Sequence, residues 1–126
     1  MNRPLVLVVE DEPSVMAFLR AALERSGYEI DAAETGTRAL EMLARRSYHG
    51  VISDMRTPGG VDGAGVWEWL AANRPELLAK LIFITGDIVN EDTAVALRRT
   101  GAPFVEKPFR VQELLAMVER VLGKAQ

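Results

Sequence analysis

Leu5-Val6-Leu7-Val8-Val9-Glu10-Asp11-Glu12-Pro13 is the stretch that decides the fold. Its first five residues are apolar and three of them are valine, a run too short for a buried helix. Such a run reads as a central strand covered on both faces. Three acids end it, and Pro13 follows at a position where the first turn of a helix tolerates a missing N–H. Val15, Phe18, Leu19, Ala22 and Leu23 then recur at helical spacing, and Gly27 closes the segment. The first unit is thus strand, acidic loop, helix.

Working outward, the same unit recurs. Tyr28 to Ala33 predicts a second, less apolar strand nearer an edge, and Ala39, Leu40 and Leu43 mark a helix that stops before Tyr48-His49-Gly50. Gly50-Val51-Ile52-Ser53 predicts a third strand, ending at Asp54. A loop rich in Pro and Gly spans Thr57 to Gly65, after which Val66, Trp67 and Leu70 share a helical face until Pro75. Leu81-Ile82-Phe83-Ile84 is a fourth strand, running into Thr85-Gly86-Asp87. Asn90 caps a helix whose first turn carries Glu91 and Asp92 and which closes at Gly101. Phe104-Val105 is a short fifth strand leading to Lys107-Pro108, and Val111, Leu114, Leu115, Val118 and Leu122 lie on a last helix. Alternation of this kind specifies an α/β fold, a parallel sheet with helices on both faces. With 126 residues and no visible linker or repeat, residues 1–126 read as a single domain.

Composition narrows the function. There are no cysteines, so disulfide frameworks and thiolate metal sites are excluded. Net charge is −3 with no basic tract, which argues against nucleic-acid binding by this domain alone. No apolar run approaches the roughly 20 residues of a membrane span, so no membrane contact is expected. The N-terminus lacks the long apolar stretch of a signal peptide, which makes the cytoplasm the expected compartment.

The placement of polar residues carries the chemistry. Glu10 and Asp11 follow the first strand, Asp54 the third, Thr85 the fourth and Lys107 the fifth. In a parallel sheet these ends share one edge, where doubly wound folds bind ligands. Clustered carboxylates repel one another, and a divalent cation with oxygen ligands removes that repulsion. Mg²⁺ suits such a set, with Mn²⁺ as a substitute. A metal, a lysine and a hydroxyl around a carboxylate are what phosphoryl transfer to that carboxylate requires. Taken singly the residues have plainer readings: Asp54 starts a turn, Glu10-Asp11 caps a helix, Thr85 is structural and Lys107 is a solvated charge. Their joint placement on one edge favours the site.

In order and spacing, Val8-Val9-Glu10-Asp11-Glu12, Ser53-Asp54 with Pro58 and Asp62-Gly63, Ile84-Thr85-Gly86 and Glu106-Lys107-Pro108-Phe109 resemble the receiver domains of bacterial response regulators over almost the whole chain. The resemblance implies a flavodoxin-like doubly wound sheet of five parallel strands in the order 2-1-3-4-5. It implies Asp54 as phosphoacceptor, Asp11 as a direct Mg²⁺ ligand, Glu10 acting through a metal-bound water, and the backbone carbonyl of Arg56 as a further ligand. Thr85, Gly86 and Lys107 would surround the phosphoryl group, Phe104 would be the aromatic switch, and the Lys107–Pro108 peptide would be cis. The implied function is phosphorelay signalling. A histidine kinase or histidine phosphotransfer domain would donate to Asp54, and a surface of the fourth helix, fifth strand and fifth helix would change, with homodimerisation through it possible. Such a chain is not a turnover enzyme on an external substrate.

Residues 83–87 and 100–109 look especially like receivers of hybrid sensor histidine kinases, although a free-standing regulator fits too. Four positions depart from the family's pattern: Thr57 replaces Met, the loop Gly59 to Gly63 is one residue longer, Gly86 stands for Ala, and Arg110 stands for a capping Asp, Ser or Thr. Arg56 and Asp87 each lie two residues past a site residue, which suggests a pair gating the mouth against water. A haloacid-dehalogenase-like phosphatase would need a second Asp where Arg56 stands. A pseudo-receiver, a docking module that is never phosphorylated, is the remaining alternative. His49, Trp67 and Trp69 read as structural, and the glycine-rich loop lacks the Gly-Lys-Ser/Thr of a P-loop.

Overall fold

A computed structural model describes residues 3–86 and 88–124. The strands are β1 (Leu5–Val9), β2 (Glu29–Ala33), β3 (Gly50–Asp54), β4 (Leu81–Thr85) and β5 (Phe104–Glu106). The helices are α1 (Pro13–Arg25), α2 (Gly36–Arg45), α3 (Gly63–Asn73), α4 (Glu91–Thr100) and α5 (Val111–Leu122). All strand pairs are parallel, in the order β2-β1-β3-β4-β5, the flavodoxin-like arrangement that the alternation and the resemblance implied.

The first strand shows why the sheet is central. Val6 and Val8 pack on one face with Leu19, Leu23, Leu114 and Val118 from α1 and α5. Leu7 and Val9 pack on the other with Leu43, Val66 and Leu70 from α2 and α3. With apolar cover on both faces, no strand position from Val6 to Val9 can be polar without losing about 2 kcal/mol of burial. The acids therefore begin only where the strand leaves the core. β2 and β5 form the two edges, matching their weaker apolar character.

Apart from one-residue shifts at the ends of β2, β4 and β5, the departure from the sequence expectation is around α3. α3 starts at Gly63, inside the expected loop, because the Asp62 side chain accepts a hydrogen bond from the Gly65 N–H at 2.9 Å and caps the helix early. Pro75 does end α3, but residues Pro75–Lys80 continue as a 3₁₀ segment that buries Leu77. At α4 the Asn90 side chain accepts from Thr93 N–H at 3.1 Å, and Gly101 terminates the helix in the left-handed conformation at φ 66°. No helix among the described residues is long and apolar enough to cross a membrane.

Candidate phosphoacceptor site

Asp54 is the last residue of β3 and is only 6% exposed. Its neighbours Ser53 and Met55 are buried as well, so the carboxylate is presented by a strand with no freedom to turn away. Oδ1 accepts the Arg56 N–H at 3.1 Å, and Oδ2 accepts from Lys107 Nζ at 2.9 Å. Lys107 follows β5, and its N–H donates to the Thr85 carbonyl at 2.7 Å, which ties the end of β5 to the end of β4. The Lys107–Pro108 peptide is cis.

Glu10 is fully withdrawn from solvent at the end of β1. Its Oε2 accepts the Glu12 N–H at 3.0 Å. Its Oε1 lies 3.2 Å from Lys107 Nζ, near enough for charge pairing but without the alignment of a hydrogen bond. Burial raises the Glu10 pKa first, and the Asp54 charge adds to it, against the Glu12 N–H and Lys107, which lower it. Burial likewise works against the Lys107 charge, but its hydrogen bond and attraction to Asp54, followed by its attraction to Glu10, outweigh it and raise the ammonium pKa. Lys107 also reaches Glu12 Oε1 at 3.3 Å.

One ammonium is therefore shared by Glu10, Glu12 and Asp54, whose carboxylate oxygens lie within 4.8 Å of one another. Three carboxylates against one ammonium leave excess negative charge, and Glu10 Oε1 is a buried acceptor with no hydrogen bond. Hard oxygen donors with an unsatisfied acceptor fit a small divalent cation such as Mg²⁺. Asp11 is exposed and lines the same cleft, together with Arg56, Thr85 and Gly86. Glu12 is the member of the cluster that the sequence reading did not single out. Its signal was its position directly before Pro13, at the N-cap of α1, where its side chain makes no capping bond and is left for the cleft.

Thr85 is buried at the end of β4, and Phe104 is 39% exposed on β5. A methyl at Gly86 would meet the Lys107 side chain at 3.7 Å, an ordinary contact, so glycine there relieves no clash. Thr57 Oγ1 donates to the Val61 carbonyl at 2.6 Å and closes the lengthened loop internally. The N–H of Arg110 donates to Glu113 Oε1 at 3.1 Å, so Glu113 satisfies part of the helix start that Arg110 cannot cap. Asp87, the expected partner of Arg56, lies outside the described residues. The Arg56 Nε donates to Thr93 Oγ1 of α4 at 3.3 Å. His49 is at the opposite edge of the sheet, with Nε2 2.8 Å from the Leu122 carbonyl.

A doubly wound parallel sheet that gathers carboxylates and one lysine at its C-terminal edge defines the phosphoryl-accepting signalling modules. The chain belongs to the response regulator receiver domain family, whose pattern matches residues 6–119. It is 32% identical over 127 residues to the DNA-binding transcriptional regulator NtrC of Escherichia coli (strain K12), covering all of this chain and 26% of that protein. It is 32% identical over 119 residues to the nitrogen assimilation regulatory protein NtrX of Azorhizobium caulinodans, covering 93% of this chain and 26% of that one. The chain thus spans about a quarter of the length of these curated relatives. Among solved structures, the receiver domain of the sensor histidine kinase PA1611 from Pseudomonas aeruginosa PAO1, which has a magnesium ion coordinated in its active-site cleft, aligns with TM-score 0.86 at 25% identity. That alignment covers 98% of this chain and 100% of that one. The receiver domain of a signal transduction histidine kinase from Syntrophus aciditrophicus aligns with TM-score 0.84 at 29% identity, covering 94% and 89%.

Proposed function

We propose that Asp54 accepts a phosphoryl group from the phosphohistidine of a histidine kinase or histidine phosphotransfer domain. The observation that carries this reading is the buried Asp54 carboxylate held 2.9 Å from Lys107 in a cleft with two further carboxylates. An Asp54 oxygen attacks phosphorus in line, the P–N bond breaks, and its electron pair stays on the departing imidazole. Lys107 neutralises charge on the transferring oxygens, and the Thr85 hydroxyl hydrogen-bonds one of them. Asp11, Glu10, Asp54 and the Arg56 carbonyl would hold Mg²⁺, with Glu12 as a further carboxylate at the same cleft. When bound there, the ion would supply positive charge to the phosphoryl oxygens.

The product is a modified side chain, so the domain is a switch and not a turnover enzyme. The added charge draws Thr85 and Lys107 inward and shifts an equilibrium between two conformations. Phe104, at present partly exposed on β5, then turns inward and changes the surface of α4, β5 and α5. That surface is our candidate for homodimerisation. On this reading the domain works in the cytoplasm, either within a hybrid kinase or as a free-standing regulator.

The test is incubation with Mg²⁺ and a small phosphodonor, read by intact mass. We expect one added phosphoryl group, absent without Mg²⁺ and absent in Asp54→Asn. No modification of the wild type would favour a docking module, and repeated turnover of a phosphoester would favour a phosphatase.

A further inference from the structure

Arg56 stands between two clefts. One is the acidic cleft of Asp54, Thr85 and Lys107. The other lies between the β3–α3 loop and α4, walled by Thr57, Asp62, Asp92 and Thr93. Its backbone N–H is bound to the Asp54 carboxylate at 3.1 Å, while its side chain reaches the other way to Thr93 Oγ1 at 3.3 Å. Among the described residues, Arg56 forms no ion pair. Thr93 is 3% exposed in the first turn of α4, so its hydroxyl is fixed in place.

A single neutral hydroxyl is a weak partner for a guanidinium. A phosphoryl dianion on the carboxylate two residues away is a much stronger one, because it offers charge and a bidentate set of oxygens. The only other polar side-chain tie between α3 or its loop and α4 among the described residues is Arg99–Glu68, at 3.1 Å with both partners more than half exposed. A pair of that kind contributes little.

We propose that Thr93 is a positioning residue that holds the Arg56 side chain on α4 in the resting domain, and that phosphorylation of Asp54 draws the guanidinium away. The first turn of α4 is then untied from the β3–α3 loop only while the phosphoryl group is present. By linkage, whatever loosens the tie favours the phosphorylated state. The first half concerns the resting domain alone; the second rests on Asp54 as phosphoacceptor.

The test compares wild type, Thr93→Val, which removes the hydroxyl at nearly constant shape, and Thr93→Ser, which keeps it. Amide hydrogen exchange at Ala94 to Leu97 is measured with and without beryllofluoride as phosphoryl mimic, beside the NMR signal of the Arg56 Nε–H. In the resting state, Thr93→Val should exchange about ten-fold faster than wild type, the low end of what losing one hydrogen bond to a charged group costs. Thr93→Ser should stay within about two-fold of wild type. The mimic should speed wild-type exchange to the Thr93→Val rate, leave Thr93→Val unchanged, and shift the Arg56 Nε–H signal. Resting exchange in Thr93→Val equal to wild type, or an Arg56 signal unmoved by beryllofluoride in a protein that takes up one phosphoryl group on Asp54 from a small phosphodonor, would overturn the proposal. A wild type that takes up no phosphoryl group would instead sink the Asp54 reading, and the resting comparison would still decide the tie. Should Thr93→Val not fold, the wild-type Arg56 signal and Thr93→Ser decide it.

Discussion

Lys107 holds together three groups that would otherwise repel. Its ammonium is 2.9 Å from Asp54, 3.2 Å from Glu10 and 3.3 Å from Glu12. Replacing it by Met leaves Glu10 and Asp54, both withdrawn from water, facing each other without a counter-charge. Breaking a buried pair from one side costs about 3 kcal/mol, an upper figure here because Lys107 keeps some solvent contact. Lys107→Met should therefore lower the urea midpoint at pH 7. Glu10 already binds its proton more readily in the fold than in the unfolded chain, and without Lys107 it does so more strongly. The deficit should then shrink as pH falls toward the ordinary carboxylate range, because a protonated Glu10 no longer repels Asp54. A deficit that is constant from pH 7 to pH 5 would show that packing, and not charge, is what the lysine provides. Gly63 is a second single-residue control. A methyl there would come within 2.8 Å of the Met55 Cα and 3.0 Å of the Asp54 carbonyl oxygen, both backbone atoms that cannot step aside. Gly63→Ala should cost about 2 kcal/mol and disturb the strand end that carries Asp54. Thermal unfolding checks the cost, and Mg²⁺ titration checks the disturbance.

At the scale of elements, legibility followed periodicity. The C-terminal ends of strands could be read from Val9-Glu10, Ser53-Asp54 and Ile84-Thr85 because apolar runs stop where the core stops. Those residues face the cleft by position alone. Side chains leaving from helix starts could not be read this way. Glu12 turns into the cluster because Pro13 fixes the first turn of α1 and its own side chain makes no cap. Thr93 meets Arg56 because the capped start of α4 abuts the β3–α3 loop, a contact across 37 residues with no local pattern. The early start of α3 is not legible because Asp62, which caps the helix, lies inside a stretch whose Pro and Gly content marks a loop from Thr57 to Gly65. Caps themselves are testable. The Asn90 side chain is the acceptor for the Thr93 N–H, so Asn90→Ala should cost about 1 kcal/mol. The loss should show as faster amide exchange confined to the first turn of α4, and equal loss throughout the sheet would mean that α4 does not open locally.

The molecule as a whole is polarised along its strands. At the edge that receives the chain from the strands, polar groups gather around one lysine and face a cleft. At the other edge, polar groups are spent on ties. Tyr28 donates to the Gly123 carbonyl, His49 meets the Leu122 carbonyl, and Lys80 reaches the Val121 carbonyl at 3.5 Å. Three connections thus hold the carbonyls at the end of α5 and at its cap. Tyr48 makes a similar tie, donating to Asp31 Oδ2 at 2.7 Å. Both phenols are pushed above the ordinary value of 10.0, Tyr28 by burial and then the Glu119 charge, and Tyr48 by burial and then its bond to Asp31. Each is thus held neutral in the fold more firmly than in the unfolded chain. Their stabilisation is complete below pH 10 and is lost as pH rises beyond it, because the unfolded chain then sheds protons that the folded one keeps. Each such proton contributes about 1.4 kcal/mol per pH unit once the unfolded phenol is ionised. A Tyr28→Phe/Tyr48→Phe double variant should lose about 2 kcal/mol at pH 8 through the missing hydrogen bonds. It should also decline less steeply than wild type between pH 10 and pH 11.5, a range chosen around the phenol value. Lys107 titrates in both proteins, so the difference between their urea midpoints isolates the tyrosines. Parallel declines would mean that the far edge opens before its phenols ionise, and that α5 is anchored by packing under Leu122 and not by the Tyr28 bond.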